Sequence, residues 1–168
     1  MHGGLSDVRT HLPRPQALLT YFNQRKILIG DNGEAMICDF GLSRIQHEIT
    51  RTLTTICEEG KLRFLAPELT NGPEAFRTSS GSDIYSLSMV FLALTTLAPP
   101  FSDMSSWRAA GAACNGMRPG RPETLPFPPP INDQLWLLMQ HMWAQEPAHR
   151  PSAPSVVKRL KETFHISD

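Results

Sequence analysis

The stretch Ser82–Leu97, SDIYSLSMVFLALTTL, decides the fold. It carries apolar side chains on nearly every side of a helical wheel, and such a helix belongs in the centre of a domain. Ala98-Pro99-Pro100 follows and cannot continue the helix. The apolar part, residues 84–98, is short and contains serines and threonines, so no membrane span is predicted. The apolar residues of this central helix are Ile84, Leu87, Met89, Val90, Phe91, Leu92 and Leu94.

Further helices are predicted downstream. One covers about Ser105–Asn115, although Gly111 weakens it. The next begins after Asn132, a residue type that caps helix N-termini. The last begins at Ser152 and runs to about Phe164. Residues 117–131 hold six prolines and are predicted to be irregular. The helix after Asn132 places four apolar residues on one face: Leu135, Leu138, Met139 and Met142.

Upstream, two short apolar runs, 26–29 and 35–38, flank Gly30-Asp31-Asn32-Gly33-Glu34. Asn-Gly supplies the positive φ angles that a tight turn needs, so a β-hairpin is predicted. Residues 42–62 are polar and rich in threonine, and they read as a long surface loop. The predicted fold is therefore mainly α, with one small β-hairpin.

Composition excludes several classes of function. The 16 Lys and Arg residues balance 16 Asp and Glu residues, so there is no bulk charge to attract nucleic acid or an anionic membrane. The three cysteines form no CxxC pair, and the histidines show no metal-ligand spacing. No secretory signal is visible after Met1. We therefore expect reduced thiols and an intracellular, cytoplasmic protein.

Four short motifs occur in a fixed order. They are Asp39-Phe40-Gly41 directly after the hairpin, RFLAPE at 63–68, SDIYSL at 82–87 and WAQEPAHRP at 143–151. In this order and context they resemble the C-terminal lobe of a eukaryotic protein kinase, over residues 26–164. The spelling of the second and fourth motifs resembles the tyrosine-kinase-like branch, whose members are largely Ser/Thr-specific. A single Asp-Phe-Gly would be a weak signal, but the four together are specific.

The resemblance implies ATP and Mg²⁺ as cofactors. Asp39 would hold Mg²⁺, since this ion prefers hard oxygen ligands. Phe40 and Gly41 would belong to the same cofactor-binding site, and Gly41 frees the backbone to turn away. Taken alone, Asp39 is better read as a turn residue after a hairpin.

The resemblance also assigns structural roles to three charged residues. Glu68 would form a buried bidentate ion pair with Arg150, which ties the activation segment to the helical core. Asp83 would accept backbone N–H bonds from the catalytic loop. From the residues alone, Glu68 and Arg150 read as independent surface charges, and Asp83 reads as an acid favoured by the helix dipole.

The catalytic loop departs from the family pattern. His2-Gly3-Gly4-Leu5 has Gly4 where the family has the catalytic Asp. Lys26 lies at the position of the catalytic-loop Asn, the second metal ligand, once residues 8–24 are set aside. No catalytic residue is therefore assigned. No G-x-G-x-x-G occurs, and only 25 residues precede Lys26, so we expect the N-terminal lobe to be absent.

The predicted organisation has two parts. Residues 1–25 form an irregular segment with a remnant catalytic loop, and residues 26–168 form a partial kinase domain. Removing residues 8–24 restores the family spacing, which favours a translated intron: Val8 can carry a GT donor in its codon and Gln24 an AG acceptor. A genuine loop insertion is the alternative.

The sequence predicts a truncated protein kinase C-terminal lobe without activity, whose family transfers phosphate from ATP to protein Ser/Thr. The alternatives are a pseudokinase-type binding or scaffold module and a non-functional mis-spliced fragment. We expect a protein substrate or a protein partner, no nucleic acid and no membrane. Four threonines of the predicted activation loop could be phosphorylated or could be plain solvated residues: Thr50, Thr52, Thr54 and Thr55. Gly3 replaces the arginine that would bind their phosphates, so phosphorylation is predicted not to switch activity.

Overall fold

A computed structural model describes residues 27–38, 60–70, 79–122 and 131–166. Within these ranges the chain is mainly helical, as the sequence predicted. The strands are β1 (Ile27–Ile29) and β2 (Ala35–Ile37). The α-helices are α1 (Ser80–Thr96), α2 (Ser106–Cys114), α3 (Asp133–Met142) and α4 (Ala153–Phe164). Short 3₁₀ helices cover Lys61–Phe64, Pro67–Leu69 and Pro147–His149.

The predicted hairpin is present, with a looser turn than expected. β1 and β2 are antiparallel, and Leu28 lies opposite Met36. The Gly33 N–H donates to the Gly30 carbonyl at 2.9 Å, and the Gly30 N–H donates to the Glu34 carbonyl at 2.8 Å. Of the Asn-Gly pair only Gly33 has a positive φ, 83°. This is a type I turn followed by a left-handed glycine, which three-residue hairpin loops favour over the two-residue turn with two positive φ angles.

Helix α1 forms the centre of the fold. Ser79 caps it, because the Ser79 hydroxyl accepts from the Ser82 N–H and the Ser82 hydroxyl accepts from the Ser79 N–H. Ile84, Met89, Val90 and Leu92 are buried as predicted. The prediction that Leu94 is buried is wrong, since half of its surface is exposed. The helix ends before the prolines, at Leu97, which adopts a left-handed conformation.

The three remaining helices begin after polar caps, of which Asn132 and Ser152 were predicted and Ser105 was not. Ser105, Asn132 and Ser152 each accept a backbone N–H from the first turn. The face of α3 predicted to be apolar is buried, and it packs against α1 and α4. Pro154 lies in the first turn of α4, where its missing N–H costs nothing.

The predicted surface loop 42–62 is partly wrong at its end. Lys61 and Leu62 belong to a 3₁₀ helix that packs against α1 and α2. Leu62 is therefore buried in the main core. Residues 117–122, from the predicted irregular segment, contain no helix or strand. In the ranges given above, no helix has both the length and the apolar character needed to cross a membrane.

Candidate functional site

Glu68 and Arg150 come together as an ion pair between two 3₁₀ elements. Glu68 lies in Pro67–Leu69, and Arg150 follows Pro147–His149. Arg150 Nη1 donates to Glu68 Oε1 at 2.6 Å, and Arg150 Nη2 donates to Oε2 at 2.8 Å. The Arg150 side chain is 1% exposed and the Glu68 side chain 22%. Two parallel bonds match the planar guanidinium to the carboxylate and fix the relative orientation of the two segments.

The remaining donors of Arg150 are also satisfied. Nε donates to the Ala144 carbonyl at 2.9 Å, Nη1 to the Gly81 carbonyl at 2.9 Å and Nη2 to the Gln145 carbonyl at 3.3 Å. A guanidinium has five N–H groups, so each has an acceptor here. A buried charge is costly unless it is fully paired. Arg150 therefore joins the Glu68 segment, the start of α1 and the chain after α3 in one polar contact set.

Two arginine side chains lie over the Tyr85 ring, a contact that sequence reasoning missed. The guanidinium carbon of Arg150 is 5.1 Å from the ring centroid and that of Arg118 is 5.4 Å away. The Tyr85 side chain is fully buried, and burial raises its pKa to about 12 although both arginines oppose the shift. The aromatic face attracts both cations. No spacing in the sequence signals this contact, which forms only when distant segments pack.

Arg118 extends the same contact set toward α2 and α3. Its Nε donates to the Trp143 carbonyl at 2.8 Å, its Nη1 to the Ala113 carbonyl at 3.0 Å and its Nη2 to Gln145 Oε1 at 2.6 Å. These acceptors lie at or beyond the C-terminal ends of α2 and α3, where carbonyl groups lack helical partners. Arg118 thus links the C-terminal ends of α2 and α3 and lies over the Tyr85 ring.

Of the other predicted site residues, only Asp83 lies within the described part of the chain. Asp83 lies in the first turn of α1, half-buried. The hairpin is described as far as Cys38, the residue before the Asp-Phe-Gly motif. In the parts of the chain described, no group of three or more His, Cys, Asp or Glu residues could hold a metal ion. Several predicted positions lie outside the described residues: Gly4, Lys26, Asp39, Phe40, Gly41, Thr50, Thr52, Thr54 and Thr55.

The fold and the site together define a class of protein, the kinase C-terminal lobe. It is a helical scaffold in which a buried Glu–Arg pair is bonded to the start of the central helix. Comparison with known families agrees, because the protein kinase domain family matches residues 24–160. The chain belongs to the eukaryotic protein kinase family.

The curated relatives that this chain resembles are also named as protein kinases. A "Probable serine/threonine-protein kinase" of Dictyostelium discoideum is 33% identical over 149 residues, which cover 88% of this chain and 15% of that protein. Mitogen-activated protein kinase kinase kinase 11 of Homo sapiens is 31% identical over 74% of this chain and 13% of its own length. A "Probable inactive serine/threonine-protein kinase" of Dictyostelium discoideum is 26% identical over 96% of this chain and 8% of its own length. The chain therefore spans only a small part of each.

Proposed function

We propose that this chain is a protein-kinase-family module that binds protein and does not transfer phosphate. Gly4 and Lys26 carry the proposal, because they stand where the family has the catalytic Asp and the second metal-binding Asn. Loss of a general base alone typically costs about 10²–10⁴-fold in rate.

The donor set at the expected cofactor site does not fit Mg-ATP well. Asp39 alone would offer a carboxylate, and Lys26 would bring a positive charge beside the metal position, where Mg²⁺ requires oxygen ligands. Glycine at position 4 has no side chain to accept the hydroxyl proton. No catalytic step is therefore assigned to this chain, and Mg-ATP binding is not part of the proposal.

The helical scaffold supports a binding role. The Glu68–Arg150 pair, the contacts of two arginines with the Tyr85 ring and the buried α1 are features of a packed domain. Such a domain can present a surface to another protein without catalysis. The family acts on proteins, so a protein partner or substrate is the class we propose. We place the chain inside the cell, and among kinases nearest the tyrosine-kinase-like, largely Ser/Thr-specific branch, on the spelling of its motifs.

A nucleotide thermal-shift assay tests the proposal. The melting temperature should be the same with ATP and Mg²⁺ as with buffer alone, and the Asp39→Asn variant should behave identically. A Mg²⁺-dependent rise in melting temperature that Asp39→Asn abolishes would show nucleotide at the family site and contradict the proposal. Transfer of radiolabel from ATP to a protein by the purified chain, absent in Asp39→Asn, would contradict it outright.

We also propose that residues 8–24 are an insertion, most simply a retained intron. The family match begins at residue 24, the last residue of this stretch, so residues 8–23 lie outside it. Sequencing of the transcript tests the origin of this stretch. A spliced product that lacks codons 8–24 would support the intron. If every read runs through codons 8–24, the intron proposal is wrong.

A further inference from the structure

The segment Gly60–Leu69 is firmly embedded in the helical scaffold. Leu62, Phe64, Leu65 and Leu69 are each buried and belong to the main core cluster with α1. The Ser86 hydroxyl, also buried, donates to the Phe64 carbonyl at 2.8 Å. This is the stretch that joins the predicted activation loop to the Glu68–Arg150 pair, so its order matters for any surface formed there.

Arg63 fastens this segment to the turn between α1 and α2. Its Nη1 donates to the carbonyls of Pro100, at 3.2 Å, and of Phe101. Its Nη2 donates to the Met104 carbonyl at 2.6 Å. One half-buried guanidinium thus binds three backbone acceptors of one turn. A charged donor makes each of these bonds stronger than its neutral equivalent.

The turn held by Arg63 is conformationally strained. Phe101 has φ 54°, in the left-handed region that residues other than glycine rarely adopt. Its ring is buried against Ala109 and Ala113 of α2. A strained conformation persists only when surrounding contacts over-determine it. The Arg63 hydrogen bonds and the packing of the Phe101 ring supply those contacts.

Two further contacts flank the Arg63 bonds. At one end, the Gly60 N–H donates to Ser106 Oγ at 3.2 Å, and Ser106 is buried at the start of α2. At the other end, Glu68 pairs with Arg150. The segment is therefore attached at residues 60, 63 and 68, and every acceptor involved is supplied by the chain itself.

We propose that Arg63 is a positioning residue that keeps Gly60–Leu69 ordered whether or not the preceding threonines are phosphorylated. Because these three attachments already order the segment, a phosphate on the threonines is not needed to order it. Arg63 does this by tying the segment to the strained turn at Phe101. The inference goes beyond the proposed function, since it concerns order in one segment and not nucleotide or partner binding.

Hydrogen–deuterium exchange of the full chain tests this inference. In Arg63→Ala, amides in peptides covering 60–69 and 98–106 should exchange at least about tenfold faster, which corresponds to about 1.4 kcal/mol of lost local stability. Peptides of α3 and α4 should exchange as in the wild type. Arg63→Lys should restore only part of the protection, because one ammonium cannot span three carbonyls as a planar fork does.

Two control variants show whether the effect is specific to Arg63. Arg108→Ala removes an exposed arginine from α2 and should leave both peptides unchanged. The fourfold variant with Thr50, Thr52, Thr54 and Thr55 replaced by Glu should also leave residues 60–69 unchanged. Equal exchange in Arg63→Ala and wild type would overturn the inference, and so would added protection of 60–69 in the glutamate variant. If Arg63→Ala does not fold, Arg63→Lys and the glutamate variant decide the question.

Discussion

The β-hairpin and the helical scaffold have similarly apolar sequences but very different burial. Of the strand residues, Leu28, Ile29, Met36 and Ile37 are exposed, Ile29 by 69%. In α1, by contrast, Tyr85, Met89 and Val90 have no exposed surface. Only Ile27 of the hairpin packs against the main core. An apolar run thus predicts local structure well, but its burial depends on what the rest of the chain brings beside it.

This difference implies that stability resides in the scaffold. Apolar burial contributes about 25 cal/mol per Å² removed from water, so exposed strand residues add little. The scaffold also contains the buried polar contacts, whose loss leaves charges without partners. Substitutions in the two regions should therefore differ sharply in cost.

The largest effect is expected at the Glu68–Arg150 pair. Arg150→Met should lower the free energy of unfolding by about 3–5 kcal/mol, because it leaves a partly buried carboxylate without its cation. That is a large share of the roughly 5–15 kcal/mol that holds a domain together. Urea denaturation followed by circular dichroism measures it.

The control for Arg150 is an exposed pair of the same chemistry. Arg121 Nη1 lies 2.7 Å from Asp133 Oδ1, and the two side chains are 43% and 91% exposed. Arg121→Met should cost about 1 kcal/mol or less, since water screens such pairs. If both variants lost equal stability, burial would not explain the difference between the regions.

Two leucines test the comparison directly. Leu138 of α3 is fully buried in the cluster with Ile84, Met142 and Val156, and Leu28 of β1 is half exposed. Leu138→Ala should cost about 3 kcal/mol, from lost burial and the cavity left behind. Leu28→Ala should cost less than about 1 kcal/mol. The same urea titration measures both, and a larger loss in Leu28→Ala would show that the hairpin is part of the stabilising core.

How much the sequence could predict follows from the range of each interaction. The caps Asn132 and Ser152 and the apolar face of α3 depend on neighbours within one or two helical turns, so the local sequence was enough to predict them. The exposure of Leu94 could not be read from its helix, because it depends on how the other elements pack around α1.

The polar contacts of the site were harder to predict. The residues alone favoured separate surface charges for Glu68 and Arg150, and only the family resemblance brought them together. Arg118 and Tyr85 were missed entirely, because their contact depends on how α1, α2 and α3 pack. A cation lying on an aromatic face leaves no periodic signal in a sequence.

The smallest predicted effect is a pH dependence that only the buried region can show. Tyr85 has a pKa of about 12 in the folded chain, against 10.0 for a solvated tyrosine, because burial disfavours the phenolate. Between pH 10 and 12 the unfolded chain releases this proton and the folded chain keeps it. The free energy of unfolding should therefore fall as pH rises through that window, by up to about 1.4 kcal/mol per pH unit.

Tyr85→Phe isolates this contribution. The Tyr85 hydroxyl is buried with no hydrogen-bond partner among the described residues, so its removal should not lower the free energy of unfolding at pH 7. Every other titrating group is the same in the two proteins, so the difference between their unfolding free energies reports Tyr85 alone. That difference should be flat below pH 10 and should grow in favour of Tyr85→Phe above it. A difference that stayed flat to pH 12 would contradict the raised pKa of Tyr85, and with it the burial of the phenol from water.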